Sequence, residues 1–298
     1  MNLLFISLGC DKNLVDTEKM LGILGGEGYS FVDDESDADV IVVNTCCFIG
    51  DAKEESVNTI LEMAELKKSG RLKALIVTGC LAERYKNEIT EEIPEVDAVL
   101  GTTSYGDIVK ALNEAQAGNV FQEFRDINEL PEDSGRRVLT TGGHFGYLKI
   151  AEGCDKHCTY CIIPYLRGRY RSVPMEQLEK EARELADQGV KELILVAQET
   201  TLYGKDLYGE KKLPELLRRL SSIPGIQWIR LQYCYPEEIT DELIETIKNE
   251  EKVCHYLDIP IQHASDAILK RMGRRTSNKE IRELVAKLRR EIPDIALR

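Results

Sequence analysis

Gly153-Cys154-Asp155-Lys156-His157-Cys158-Thr159-Tyr160-Cys161 sets three cysteines at the spacing C-x3-C-x2-C. The run before it, Tyr147-Leu148-Lys149-Ile150-Ala151-Glu152, alternates in polarity and predicts a strand. A loop that follows a strand can bring its thiolates to one point. Such a set can hold a [4Fe–4S] cluster, whose usual complement is four cysteines, and would leave the fourth iron open to a small molecule. Two plainer readings stand beside it. Cys154, His157, Cys158 and Cys161 match a closed Cys3His zinc site, and free cysteines are often simply buried.

Outward from that loop, strands and helices alternate to the end of the chain. Strands are expected near 147–152, 191–197, 226–232, 255–259 and 294–298, and helices near 176–188, 213–221, 240–249 and 278–291. The pattern is that of a partial β/α barrel, whose reactive loops lie at the C-terminal strand ends. The chain stops inside the last expected strand, at Leu297-Arg298, which predicts a truncated barrel. Within this half Trp228 is expected in the core, and Cys234, Cys254 and His255 are expected to pack. His263 follows the fourth strand and is a candidate polar group on the active face.

The first half has the same alternation. Residues 2–8 predict a strand, followed by a helix near 14–25 that Asp11 or Asn13 could cap. Val40-Ile41-Val42-Val43 and Ala74-Leu75-Ile76-Val77 read as parallel strands buried on both faces. Residues 52–68 predict a helix, Ala98-Val99-Leu100 a strand, and 104–117 a further helix. The expected class is α/β, an N-terminal doubly wound parallel sheet domain over 1–118 and a barrel domain over 146–298, joined by a linker over 119–145. Cys10, Cys46 and Cys80 each come just after a predicted strand. In a parallel sheet they share the carboxyl edge, where such sheets bind ligands, so the three could meet at one metal cluster. Cys47, next to Cys46, is expected to pack.

Composition narrows the class. The chain has 298 residues, and its nine cysteines follow no basic, signal-like segment. That argues for a reducing cytoplasm, where thiols are ligands more often than disulfides. No apolar run reaches the ~18 residues of a membrane span. Residues 1–135 carry 27 acidic and 11 basic residues, net −16, while 136–298 carry 25 and 28, net +3. The first half therefore has no nucleic-acid footprint, DNA is not expected as a partner, and a basic partner would be steered towards it.

The C-x3-C-x2-C loop resembles that of the radical S-adenosylmethionine (SAM) enzymes. With the upstream set Cys10, Cys46 and Cys80, the order resembles the methylthiotransferase family. Several stretches look like its RimO branch: Ser7-Leu8-Gly9-Cys10-Asp11-Lys12-Asn13, Asn44-Thr45-Cys46-Cys47-Phe48-Ile49, Ala52-Lys53-Glu54-Glu55-Ser56, Gly168 to Ser172, Val196-Ala197-Gln198-Glu199-Thr200-Thr201 and Tyr256-Leu257-Asp258-Ile259-Pro260-Ile261-Gln262-His263. Glu199 departs from the branch, which more often has Asp, and the closing barrel strands and the C-terminal TRAM domain of the family are not in this sequence.

The resemblance implies two [4Fe–4S] clusters, an auxiliary one on Cys10, Cys46 and Cys80 and a radical-generating one on Cys154, Cys158 and Cys161. It implies SAM as cofactor and places Tyr160 against the adenine. The implied reaction is methylthiolation of the β-carbon of an aspartate in a small-subunit ribosomal protein, with an external electron donor and a sulfide source. Two alternatives remain. One is a MiaB-like or MtaB-like enzyme acting on adenosine in tRNA, against which Asp11-Lys12-Asn13 and Glu199-Thr200 stand. The other is a two-cluster electron carrier, which would have no need of the loop Arg167-Gly168-Arg169-Tyr170-Arg171, although that loop also reads as a solvated face.

Overall fold

The computed structural model describes residues 1–131, 135 and 137–298. It divides into two units: Met1–Val138 with Tyr165–Gly168, and Leu139–Pro164 with Arg169–Arg298. Glu132, Asp133 and Ser134 of the expected linker lie outside the described residues, as does Arg136.

Unit 1 is a parallel sheet of β1 (Asn2–Ser7), β2 (Ser30–Phe31), β3 (Val40–Thr45), β4 (Ala74–Gly79), β5 (Ala98–Leu100) and β6 (Phe121–Glu123), in the order β2-β1-β3-β4-β5-β6. Every residue of β3 and β4 is buried. That is why both open on unbroken apolar runs, residues 40–43 and 74–77, and do not alternate. Each fully buried Val or Ile contributes about 1.5–3 kcal/mol. β6 lies in the stretch expected as linker and forms the sheet edge beside β5. The connecting helices are α1 (Asp11–Gly26), α2 (Gly50–Lys68), α3 (Cys80–Tyr85), α4 (Asn87–Glu92) and α5 (Ile108–Gln116).

The expected cap of α1 is corrected. The N-cap is Cys10, with no side-chain cap bond. Asp11 accepts from its neighbour Lys12, and Asn13 is turned into the fold and fully buried.

Strand order decides where a ligand can sit. The chain runs from β1 outward to β2, then crosses back to β3 on the other side of β1. This order has a topological switch point between β1 and β3, where loops diverge and leave a crevice at the carboxyl ends of the strands. Cys10 follows β1 and Cys46 follows β3, one on each side of that crevice. Cys80 follows β4.

Unit 2 is built on β7 (Phe145–Lys149), β8 (Ala151–Glu152), β9 (Arg171–Ser172), β10 (Glu192–Val196), β11 (Trp228–Leu231), β12 (Val253–Leu257) and β13 (Ala296–Leu297). Five of these make a parallel sheet in the order β13-β12-β11-β10-β7. The strands lie side by side in chain order, as in an open section of a barrel. The strand expected over 147–152 is broken at Ile150, and its last part, β8, pairs antiparallel with β9.

The helices are α6 (Ile163–Arg167), whose residues from Tyr165 on belong to unit 1, α7 (Met175–Asp187), α8 (Lys205–Tyr208), α9 (Leu213–Ser221), α10 (Asp241–Asn249), α11 (Asp266–Arg271) and α12 (Asn278–Glu291). α7 buries Leu178, Ala182 and Leu185, one stripe at helical spacing. α12 begins with a capping box of Ser277 and Glu280.

Trp228 is not a core residue: it is 55% exposed. It opens β11 at the amino end of the sheet, where an apolar strand pattern no longer guarantees cover. Cys254 and His255 are only partly covered, and His255 Nδ1 lies 2.8 Å from Asp294. No helix among the described residues is long and apolar enough to cross a membrane.

Two cysteine-lined candidate sites

The first site is the crevice of unit 1. Gly9 precedes Cys10 at φ +91°, and a Cβ there would lie 2.6 Å from Cys46 Cβ and 2.9 Å from its Sγ. Only glycine permits that approach of the β1 loop to the β3 loop. Gly79, at φ +93°, precedes Cys80, and a Cβ there would lie 2.3 Å from Asn44 Oδ1 and 2.5 Å from the Thr45 carbonyl. So two glycines draw the three cysteine-bearing loops together.

Asn13 then binds them. Its Nδ2 donates to the Leu8 carbonyl at 3.0 Å and to the Thr45 carbonyl at 2.9 Å, the chain ends just before Cys10 and Cys46. Its Oδ1 lies 3.9 Å from Cys80 Sγ. Ser56 on α2 completes the cradle, accepting from Cys46 N at 2.9 Å and donating to Cys46 O at 2.8 Å.

Burial is the main influence on these thiols. It pushes Cys80 up to about 12, with the Arg167 cation acting in the opposite sense and negative charge at Cys10 and Cys46 adding to the rise. Cys46 is raised for the same leading reason. These groups are thiols at neutral pH when nothing is bound, so a metal taking them as thiolates would release protons.

The second site is the Cys154–Cys161 loop of unit 2. Gly153, at φ +71°, turns the chain out of β8. Lys156 N then lies 3.4 Å from Cys154 Sγ, and Cys161 N donates to the Cys158 carbonyl at 3.0 Å. The segment after α11 packs on this loop, with Thr159 N donating to Met272 O at 3.1 Å. A Cβ on Gly273 would stand 3.1 Å from the His157 carbonyl.

Cys154 is 6% exposed, and burial pushes its thiol up to about 12, helped by charge at Glu199, Cys161 and Cys158. Arg274 Nη1 lies 3.9 Å from Cys158 Sγ, and its guanidinium sits 4.2 Å over the Tyr235 ring. Lys156 stands over the same ring at 5.2 Å, an arrangement that fixes two cations beside the thiols.

Glu199, after β10, is fully buried. Its Oε1 accepts from Thr201, while its Oε2 and the neighbouring Gln198 Oε1 have no hydrogen-bond partner among the described residues. Burial carries the Glu199 carboxyl up to about 7, against the pull of Thr201 and Lys156. Two buried acceptors left open in this way suit a ligand that brings donors of its own.

Among the described residues, no group of three or more His, Cys, Asp or Glu is placed to hold a single metal ion. One zinc at about 2.3 Å from each sulfur would need the thiols close together. An iron–sulfur cubane presents a separate iron to each thiolate and asks for wider spacing. The all-cysteine donor sets and the open acceptors of unit 2 fit the cluster better than the zinc ion.

Residues 148–297 match the Radical SAM superfamily, and residues 2–101 match a family described as Uncharacterized protein family UPF0004. A protein of Lachnoclostridium phytofermentans named ribosomal protein uS12 methylthiotransferase RimO is 68% identical over this whole chain and 68% of its own length. The same name is carried by a protein of Acetivibrio thermocellus, 55% identical over 98% of this chain and 66% of its own length.

This chain belongs to the RimO family of radical SAM methylthiotransferases.

It spans about two thirds of the length of those relatives. Among solved structures, the radical SAM methyltransferase TsrM of Kitasatospora setae superposes with TM-score 0.63 at 15% identity, over 97% of this chain and 65% of that one. The cobalamin-dependent radical enzyme OxsB gives 0.62 at 13%, over 100% and 48%. At such identities they bear out the fold alone. The radical SAM domain of this methylthiotransferase implies a [4Fe–4S] cluster and SAM.

Of the residues expected from sequence at the two sites, Tyr160 is 49% exposed on the second loop. Cys47 is buried beside the first site, its Sγ 3.2 Å from the Cys80 carbonyl. Cys234 is fully buried and His263 is exposed, its Nδ1 accepting from Ser265 N at 2.9 Å. Asn13, Arg167, Lys156 and Arg274 were not picked out as site residues. Gln198 and Glu199 do carry a signal, as the first polar side chains after the strand expected over 191–197.

Proposed function

We propose that this chain methylthiolates the β-carbon of an aspartate in the small-subunit ribosomal protein uS12. Identity of 68% over the full chain to a protein of that named activity carries this reading. Cys154, Cys158 and Cys161 would hold one [4Fe–4S] cluster, and Cys10, Cys46 and Cys80 a second. When bound, the clusters supply an electron for reductive cleavage of SAM and a place for the sulfur to be transferred. An external electron donor and a sulfide source are then required partners, and the reaction takes place in the cytoplasm with the ribosome.

The chain's own residues have defined tasks. Burial of Cys154 and Cys80 keeps water from their sulfurs, so that reactive species meet few other partners. Lys156 is held by Glu237 at 3.2 Å and Glu238 at 2.5 Å, which fixes its charge beside the second loop. Gln198 and Glu199 offer open acceptors to donors on SAM, and Tyr160 offers a ring face to its adenine. The net charge of −16 over residues 1–135 favours a basic protein substrate over a polyphosphate one.

The test supplies a protein of the relatives' full length, reconstituted anaerobically, with a uS12 peptide carrying the target aspartate and with a tRNA carrying the adenosine precursor. A methylthio mass gain on the peptide is expected. The same gain on the tRNA, with none on the peptide, would replace this reading by the tRNA one.

A further inference from the structure

Arg167 follows Cys161 by six residues in sequence, yet Tyr165–Gly168 belongs to unit 1. Its side chain is 3% exposed. Nη1 donates to Asp16 Oδ2 at 2.8 Å and Nη2 to Asn13 Oδ1 at 2.5 Å. The acceptor on Asn13 is the atom that faces Cys80 Sγ, and the same amide clamps the loops of Cys10 and Cys46. The segment is anchored in this unit, with Thr102 Oγ1 donating to the Leu166 carbonyl at 2.8 Å. An arginine is protonated at any accessible pH, and few cations are fully buried without a task or a partner. Its carboxylate partner here is Asp16. The fork therefore spends one arm on a carboxylate and the other on the hub of the three cysteine loops.

We propose that Arg167 is the charge-compensating and positioning residue of the Cys10/Cys46/Cys80 site, setting the reduction potential of the cluster held there and fixing Asn13 between the three loops. Three thiolates put at least as many negative charges into a buried crevice. A fixed cation close by lowers the cost of adding one more electron, because the Coulomb term is large where water is scarce. The influence of Arg167 on Cys80, opposite in sense to burial, is in keeping with this. Asp16 tempers the cation, so the two residues pull the potential in opposite directions.

The experiment uses the whole chain with Cys154, Cys158 and Cys161 replaced by alanine, so that only the first site can carry a cluster. Iron and sulfide are counted after anaerobic reconstitution, and the midpoint potential is read by redox titration with electron paramagnetic resonance. About four irons per chain are expected. Arg167→Gln should shift the midpoint to more negative values, Asp16→Asn to more positive ones, and Arg167→Lys should stay near the parent. A purely structural role would not give shifts of opposite sign. Loss of iron in Arg167→Gln with retention in Arg167→Lys also supports the proposal through its positioning half. If Arg167→Gln does not fold, the sign of the Asp16→Asn shift decides. Unmoved potentials, or shifts of one sign in both variants, overturn the role of Arg167 alone. The inference rests on the two-cluster reading above, and a parent that takes up no iron in this background overturns that reading as well.

Discussion

Replacing Asn13 by alanine tests whether one buried amide holds the first site together. Its Nδ2 makes both of its bonds to carbonyls, Leu8 O at 3.0 Å and Thr45 O at 2.9 Å, and its Oδ1 receives Arg167 Nη2 at 2.5 Å. Alanine leaves two carbonyls without this donor and the guanidinium without one acceptor, in a place with no access to water. At about 1–3 kcal/mol for each of these three orphaned buried groups, the loss comes to about 3–9 kcal/mol, a large share of the stability of an ordinary domain.

Urea unfolding of the metal-free chain measures it, followed by far-ultraviolet circular dichroism for both units. Trp228, the single tryptophan, reports on unit 2 by fluorescence. Asn13→Asp separates the contributions. A carboxylate restores the bond to Arg167 but offers no hydrogen to either carbonyl, so it should recover less than half of the loss. If alanine costs under about 1 kcal/mol, the clamp is not what holds the loops. If aspartate restores full stability, the Arg167 bond is the whole of it.

The remaining predictions concern the second site and the spare thiols. Cys154→Ala, Cys158→Ala and Cys161→Ala should each abolish formation of 5′-deoxyadenosine from SAM while about four irons stay at the first site, and normal rates in any of them would show a wrong ligand. Cys47→Ala, Cys234→Ala and Cys254→Ala should each keep the full iron content, and loss of about four irons in one would make it a ligand. Glu199 binds more protons folded than unfolded between its ordinary 4.5 and its folded value of about 7. Stability of the metal-free chain therefore falls as pH rises through that window and stays low above it. Glu199→Gln should gain up to about 3 kcal/mol at pH 8 and almost nothing near pH 4.5, and equal thermal shifts at both pH values would refute the buried charge.

What was legible in the sequence was local. Leu178, Ala182 and Leu185 lie within one helix, and Val40 to Val43 within one strand, so their periods could be read directly. The cysteine triplet at 154, 158 and 161 is local too, three thiols within eight residues of one loop. Cys10, Cys46 and Cys80 are far apart in the chain, but each follows a strand, and the rule that parallel strands share a carboxyl edge put them in one place. Short elements escaped: α8, four residues between Gly204 and Gly209, both with left-handed φ, has no period to see.

The residues that hold the sites escaped for a different reason. Asn13 looked like a helix cap because the local frame offers that role, and nothing within ten residues shows that its amide reaches Thr45, 32 positions away. Arg167 lay in a loop of three arginines that reads equally well as a solvated face. Arg169 is indeed exposed, whereas Arg167 is buried and bonded to Asn13 across 154 positions. The two arginines differ by nothing in composition or spacing, only in which one the fold carries to the crevice. Candidate ligands can therefore be named from close spacing, as at 154, 158 and 161, or from shared strand ends, as at 10, 46 and 80. The charge set beside such cysteines is declared only by tertiary contact, so a reading from the sequence names the cysteines and misses Arg167.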